Sequence, residues 1–274
     1  MLRSIQSLKH SVVLATDGEI GKIESFLFDD EKWSIRYLVV KTAWLVGRKV
    51  LISPLAIKEM NGELHFIRLS LTRKQVELSP DIDTDKPVSR QMETQFHDYY
   101  RWPYYWEGSG VWGIAAFPAG MLGRPYSLPN QPRPPGDYLD GVIEEGDPHL
   151  RAVHVVEGYE IVAKDDEFGH VADFIFDDES WAIRYLVIDT LRIWHGKKVL
   201  ISPEWVTGIS WSDRTITIAL TKEKIRNSPE YRSTAPVNRE YEEKLYDYYG
   251  RPAYWSEKLS NFGERKKLQR RSNN

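Results

Sequence analysis

The sequence predicts a mainly β protein with some α structure: two tandem small β-barrels of about six strands each, each barrel followed by two short helices, with a Pro/Gly-rich linker between them. Three observations carry this prediction. The chain repeats itself: Phe26-Leu27-Phe28-Asp29-Asp30-Glu31-Lys32-Trp33-Ser34-Ile35-Arg36-Tyr37-Leu38-Val39-Val40 returns as Phe174-Ile175-Phe176-Asp177-Asp178-Glu179-Ser180-Trp181-Ala182-Ile183-Arg184-Tyr185-Leu186-Val187-Ile188. The first two-thirds of each copy consists of short β-branched and aromatic runs separated by turn residues. The last third switches to helix start and stop signals.

Taken in order, residues 11–15 and 159–163 are short apolar runs closed by Asp17-Gly18 and Asp165-Asp166. Gly21 and Gly169 open a strand rich in Phe and Ile, the Asp-Asp-Glu turn makes a hairpin, and residues 35–42 and 183–190 return. Strands at 49–53 and 198–202 end at Pro54 and Pro203, because proline cannot donate to a ladder. Asn61-Gly62 is a two-residue hairpin signal leading into the alternating strand 64–69, matched by 215–220. Thr72 with Gln75 three positions on predicts a capping box, and Thr221 a simpler cap. Ser89 and Asn238 are N-caps for a longer helix ending near Tyr100 and Tyr249. In the second copy Tyr241, Leu245, Tyr248 and Tyr249 fall on one apolar face of that helix. Six strands leave exposed edges if laid flat, so a closed barrel is expected.

The division is then residues 1–106 for the first barrel with its helices, 107–150 for the linker, 151–255 for the second barrel with its helices, and 256–274 for a basic tail. Two copies make a duplicated domain, since a solenoid needs three or more repeats. The linker holds seven of the fifteen prolines and eight of the eighteen glycines, and residues 131–136 within it read as extended.

Composition narrows the function. With 28% charged residues and a formal net charge of −3, the chain lacks the basic excess of a nucleic-acid-binding surface. Cysteine is absent, which excludes disulfides, thiolate nucleophiles and Cys-based metal sites. The N-terminus lacks the apolar core of a signal peptide, and the uncharged stretch 108–123 is too short and too broken by Gly and Pro to span a membrane. A cytoplasmic location is expected.

Several of these features together resemble the PRC-barrel family. They are Gly21 and Gly169 before the Phe-rich strand into Asp29-Asp30 and Asp177-Asp178, and Val-Leu-Ile-Ser-Pro at Val50–Pro54 and Val199–Pro203. They also include Leu-Thr before a short helix and Ser-Pro, and the Asp-Tyr-Tyr then Pro-x-Tyr-Trp tails ending at Trp106 and Trp255. The family is named for the cytoplasmic domain of the photosynthetic reaction-centre H subunit and includes a domain of a ribosome maturation factor. The resemblance implies a β-barrel used to contact partners, with no catalytic residues to carry over. The chain departs from the H subunit in having no membrane-spanning stretch.

The candidate cation ligands are Asp29, Asp30, Glu31, Asp177, Asp178 and Glu179, carboxylates of the kind Ca²⁺ or Mg²⁺ prefers. A solvated hairpin turn, with Arg36 and Arg184 as exposed ion-pair partners, explains the same residues without a metal. Tyr99, Tyr100, Tyr105 and Trp106, with Tyr248, Tyr249, Tyr254 and Trp255, are expected to pin each long helix against its own barrel or the other copy's. Of these, Tyr99, Tyr100, Trp106, Tyr248, Tyr249 and Trp255, together with Ile35–Val40 and Ile183–Ile188 of the return strands, are the candidates for contact between copies. His149 and His154 sit five apart without a helical frame to align them. No phosphate loop, nucleophile elbow or paired catalytic carboxylates are found.

The expected function is therefore that of a non-enzymatic protein-interaction or scaffold module. Its two copies would pack about a pseudo-two-fold axis like a fused homodimer, without cofactor or catalytic residues. Three alternatives stay open: a ribosome- or RNA-associated factor, a metal- or ligand-responsive regulator using the acidic turns, and an accessory to membrane electron transfer. The tail carries six Lys/Arg against two Glu, and it is the segment a peripheral membrane contact would use, although terminal charge runs are ordinarily solvated. Between copies, the differences Lys41/Asp189, His65/Arg214 and Arg101-Trp102/Gly250-Arg251 mark where partner specificity would reside.

Overall fold

The computed structural model describes residues 1–43, 48–80, 88–122, 150–190 and 197–256. The first copy contains β1 (Leu2–Ser4), β2 (Val12–Ala15), β3 (Gly18–Asp29), β4 (Ser34–Thr42), β5 (Lys49–Ile52), β6 (Ile57–Asn61), β7 (Phe66–Leu69), α1 (Arg73–Glu77) and α2 (Arg90–Tyr100). The second contains β8 (Leu150–Ala152), α3 (Val153–Val156), β9 (Glu160–Val162), β10 (Glu167–Asp177), β11 (Ile183–Asp189), β12 (Lys198–Ile201), β13 (Val206–Ser210), β14 (Thr215–Ile218), α4 (Lys222–Arg226) and α5 (Arg239–Tyr249). The protein is mainly β, arranged as two seven-stranded sheets.

Each sheet runs in a linear order, β5-β4-β3-β2-β7-β6 in one copy and β12-β11-β10-β9-β14-β13 in the other. All neighbours are antiparallel except β2 with β7 and β9 with β14. The expected barrel closure is not present. β5 passes through a single 3-10 turn at Pro54–Ala56 into β6, so the two ends of the order share a corner, but among the described residues no ladder joins them. Pro54 and Pro203 end β5 and β12 at this corner, where a proline has no N–H to donate.

The seventh strand of each sheet comes from the other copy. β3 is twelve residues long and β10 eleven, whereas their neighbours β2 and β9 have four and three. The short neighbours cover only the first half of the long strand's edge, and the second half would present bare N–H and C=O groups. In the first sheet that half is covered by β8, with Leu27 opposite Ala152, Phe28 opposite Arg151 and Asp29 opposite Leu150. In the second it is covered by β1, with Ile175 opposite Ser4, Phe176 opposite Arg3 and Asp177 opposite Leu2. The two registers correspond residue for residue, so the exchange is reciprocal. The buried apolar residues of both copies accordingly form one continuous core, in which Phe28 and Phe174 meet with ring centroids 5.8 Å apart.

Local features follow the chemistry read from the sequence, with three differences. Thr72 and Gln75 form the capping box, and Thr221, Ser89 and Asn238 cap their helices. The Asn61-Gly62 hairpin is not a two-residue turn: Asn61 pairs with Phe66 across a four-residue loop. Asn61 Oδ1 accepts from Leu64 N at 2.8 Å, and His65 takes the left-handed conformation at φ 49°. The side chain of Asn61 acts as an Asx turn, so the positive φ moves off the glycine. The buried face of α5 is Glu242, Leu245, Tyr246 and Tyr249, one position away from the face centred on Tyr241 and Tyr248. A carboxylate on the core side of the helix masked that shift. Finally, residues 107–122, read as linker, pack against both copies. Gly110 N donates to Gly113 O, Trp112 and Ala115 exchange backbone hydrogen bonds, and Trp112 is fully buried. The 131–136 stretch and the basic tail beyond Ser256 lie outside the described residues. Among the described residues no helix is long and apolar enough to cross a membrane.

Gly21 and Gly169 sit where the long strand crosses its partner. A Cβ would lie 2.0 Å from the Lys41 carbonyl oxygen at Gly21 and 2.3 Å from that of Asp189 at Gly169, where φ is also +76°. Gly208, by contrast, faces open space at an ordinary φ. Gly21→Ala and Gly169→Ala are each expected to lower unfolding free energy by about 2 kcal/mol or more, and Gly208→Ala by about 0.5 kcal/mol or less. Urea titration of the three variants checks the contrast.

Candidate functional site

The acidic turns lie at the junction of the copies, and their side chains hold it together. Asp29 is buried, and its Oδ1 accepts from Glu31 N and Lys32 N, both at 3.0 Å, forming the turn. Its Oδ2 takes Arg36 at 3.0 Å, a pair with side chains 6% and 1% exposed. The expected exposed ion pair is therefore an interior one, because the exchanged strand and residues 107–122 cover it. Asp177 accepts from Ser180 Oγ at 2.6 Å and lies 3.7 Å from Arg184. Its carboxyl is held below the ordinary range: burial opposes ionisation, but the Ser180 and Glu179 hydrogen bonds, then Arg184, outweigh it. Asp30 holds Arg151 of β8 at 3.0 Å, and Asp178 holds Arg3 of β1 at 2.7 Å. Each copy's second turn aspartate thus grips the strand that the other copy contributes. Glu31 and Glu179 extend from the same turns, and among the described residues no three His, Cys, Asp or Glu gather as a metal site requires.

The turn also sets the backbone contact across the axis. Trp33 and Trp181 adopt the left-handed conformation, φ 48° and 58°, which costs a non-glycine residue about 1 kcal/mol. That conformation aims each carbonyl at the other copy. Ile183 N donates to Trp33 O at 2.7 Å, and Ile35 N donates to Trp181 O at 2.8 Å. Ser34 and Ala182 face each other between them. Of the return strands named as inter-copy candidates, this first residue pair makes the contact.

The aromatic candidates pack within their own copies. Tyr99 donates to the Gln75 carbonyl at 2.8 Å and Tyr248 to that of Lys224 at 2.8 Å, tying the long helix to the short one. Tyr100 stacks on Trp102 at 4.3 Å, and Tyr249 packs on Trp205 at 4.6 Å. Trp106 covers the Arg90 guanidinium at 4.5 Å, and Trp255 covers that of Arg239 at 3.8 Å. A helix that must bury its own aromatic face has none left for the other copy.

Those two arginines belong to a duplicated polar cluster that reading the sequence alone missed. In the first copy the buried Glu93 carboxylate accepts from Tyr37 at 3.1 Å and from Tyr105 through its hydroxyl, and pairs with Arg90 at 3.0 Å. In the second, Glu242 accepts from Tyr185 at 2.7 Å and Tyr254 at 2.9 Å and pairs with Arg239 at 3.1 Å. The cluster joins the return strand, the long helix and the Pro-x-Tyr-Trp tail at one carboxylate, which explains why the motif ends as it does. The available signal was an Arg-x-x-Glu pair retained in both copies in the first turns of the long helix. Burial pushes Glu93 up to about 6 against the opposing pull of Arg90 and its tyrosine donors, and burial and then Glu93 push Tyr37 and Tyr105 well above the ordinary phenol range.

One residue breaks the symmetry inside this cluster. His97 is fully buried, and its Nδ1 lies 3.0 Å from the Pro103 carbonyl, which can only accept. Nδ1 therefore carries the hydrogen and Nε2 accepts from Tyr37 at 2.9 Å, so the single Tyr37 proton is divided between His97 and Glu93. The second copy has Tyr246 there, and Tyr185 gives its hydrogen to Glu242 alone. Of the two histidines weighed from the sequence, His154 makes a different contact across the copies, its Nδ1 2.9 Å from Ser25 Oγ, and His149 lies outside the described residues. Two of the copy-specific positions are interior: Trp102 and Asp189 are buried, while His65, Arg214 and Arg101 are exposed. No family model matches the chain, and no curated protein matches it.

Burial lowers the His97 pKa from 6.5 to about 4. A histidine with a depressed folded pKa contributes stability that is complete above about 6.5 and is lost as pH falls toward 4. Glu93 acts in the opposite sense, since its raised pKa makes protonation favour the fold as pH falls through about 6. Replacing His97 with Tyr removes the first effect. The stability difference between His97→Tyr and the parent is expected to move in the variant's favour by about 2 kcal/mol from pH 7 to pH 5. Urea unfolding at the two pH values measures it, and an unchanged difference would show that His97 is not held neutral.

Proposed function

We propose that this chain is a non-enzymatic protein-interaction module, a PRC-barrel-like tandem that works in the cytoplasm as a fused pseudo-dimer. The reciprocal strand exchange between β1 and β10 and between β8 and β3 carries this reading. It ties two related faces into one body at a set orientation, which a scaffold needs and a flexible pair of domains lacks. The residues with the most chemistry support it. Asp29, Asp30, Asp177 and Asp178 hold the junction, and Glu93 and Glu242 hold helix to sheet. Partner choice then rests on exposed positions that differ between copies, among them His65 against Arg214 in the β6–β7 and β13–β14 loops.

Cross-linking of the chain in its native cell, followed by mass-spectrometric mapping, tests the proposal. Stoichiometric partners cross-linked near the two hairpin loops are expected, and exchanging His65 and Arg214 should redistribute those links. A small-molecule turnover abolished by Glu93→Gln or Glu242→Gln would overturn the non-enzymatic reading.

A further inference from the structure

The first copy supplies a template for what the second copy binds. Arg36 lies between two rings, with its guanidinium carbon 4.0 Å from Tyr105 and 4.9 Å from Trp112. The Trp112 indole N–H crosses the junction to the Ser180 carbonyl at 2.7 Å. Gly113 at φ +61° and the paired hydrogen bonds of Trp112 with Ala115 shape the turn that delivers the ring. Under this segment Arg36, Tyr105 and Trp181 are 1%, 3% and 4% exposed.

The duplication places the same groups on the other side of the axis as Arg184, Tyr254 and Trp33, and all three are half-buried. Arg184 rests one face on Tyr254 at 4.1 Å, and among the described residues no ring covers its other face. Its Nε is buried without a hydrogen-bond partner, whereas Nε of Arg36 reaches Asp29. The counterpart of the Ser180 carbonyl is that of Lys32. Among the described residues, the second copy therefore repeats the seat but not the ring that fills it.

We propose that this seat on the second copy binds a tryptophan-bearing turn of a partner protein, an inference that rests on the interaction-module reading. A guanidinium face selects an aromatic ring, and a carbonyl beside it selects an indole N–H over phenylalanine. The small residues that let Trp112 approach, Gly110 and Gly113, have carbonyl oxygens within 3 Å of any added Cβ, so the partner's turn is glycine-flanked as well. The seat is not a full copy at its margin. Leu55, buried in the turn that packs on Pro118–Met121, is replaced there by exposed Glu204.

The probe is a dye-labelled synthetic peptide with the sequence of residues 107–122, titrated into the full-length chain by fluorescence anisotropy. Saturable one-to-one binding is expected, weakened about ten-fold or more by Trp112→Ala in the peptide and by Arg184→Gln in the chain. Melting curves establish that the Arg184→Gln chain is folded. Independently, a benzophenone at peptide position 112 should cross-link the unmodified chain at Tyr254 or at Lys32-Trp33. Absence of saturation up to ~1 mM, equal binding by the Trp112→Ala peptide, or cross-links confined elsewhere would overturn the seat. Such failure leaves the module reading standing, because partner cross-linking at the hairpin loops does not use this site.

Discussion

The structure depends on an unequal pairing of strand lengths. β3 and β10 extend well past the neighbours that cover their first halves, and the uncovered edge includes Leu27, Phe28 and Asp29 in one copy and Ile175, Phe176 and Asp177 in the other. Leu27, Phe28, Ile175 and Phe176 among these are buried apolar residues, and a bare apolar edge is an aggregation template. A lone copy would expose it. Duplication within one chain provides the cover at an effective concentration that separate copies could not match, since the second strand is tethered to the first. The core becomes continuous as a consequence of the exchange, and the copies cease to be independent domains.

The charges follow from the same constraint. A turn that lies against another chain segment cannot leave its carboxylates to water, and each finds a specific cation. Asp30 and Asp178 take the arginine of the arriving strand, and Asp29 takes Arg36 within the turn. Pairs of this kind contribute little net stability where they are wet, but breaking a buried one leaves a charge uncompensated. Their role is to fix register. An arriving strand shifted by one residue would lose its arginine contact and turn its apolar side chains outward. The left-handed Trp33 and Trp181 serve the same end, with local strain offset by a cross-axis hydrogen bond.

Much of the local structure was legible in the sequence because it is decided locally. The caps at Thr72, Ser89 and Asn238, the strand ends at Pro54 and Pro203 and the crossing glycines each depend on a few adjacent residues. What escaped depends on distant ones. Nothing within residues 1–10 says that Leu2 to Ser4 belongs to a sheet more than 170 residues away, and its three residues are too few to show a period. Glu93 and Glu242 drew no reading from the sequence, because a buried acid on a helix is recognisable only once its tyrosine and arginine partners are assembled from three elements. The barrel expectation failed for a related reason: strand count sets how many edges exist, while closure depends on which distant segments meet them, and here β8 and β1 of the opposite copy cover the long strands.

The segment 107–122 shows how a duplicated protein becomes asymmetric. Its glycines and prolines gave it the composition of a linker, yet glycine there serves close backbone approach: a Cβ on Gly110 would meet the Ala115 carbonyl oxygen at 2.6 Å, and one on Gly108 the Gly113 backbone at 2.8 Å. The tight fold delivers one large indole to the interior, and that indole seals Arg36 and its aspartate from solvent on one side of the axis. Among the described residues, the second copy retains the arginine, the tyrosine and the turn tryptophan without that seal. Two identical seals would yield a closed, symmetric body with equivalent faces. With one seal among the described residues, the molecule is polar in the geometric sense, one side of the axis covered and the other not, and the partner recognition we propose rests on that difference.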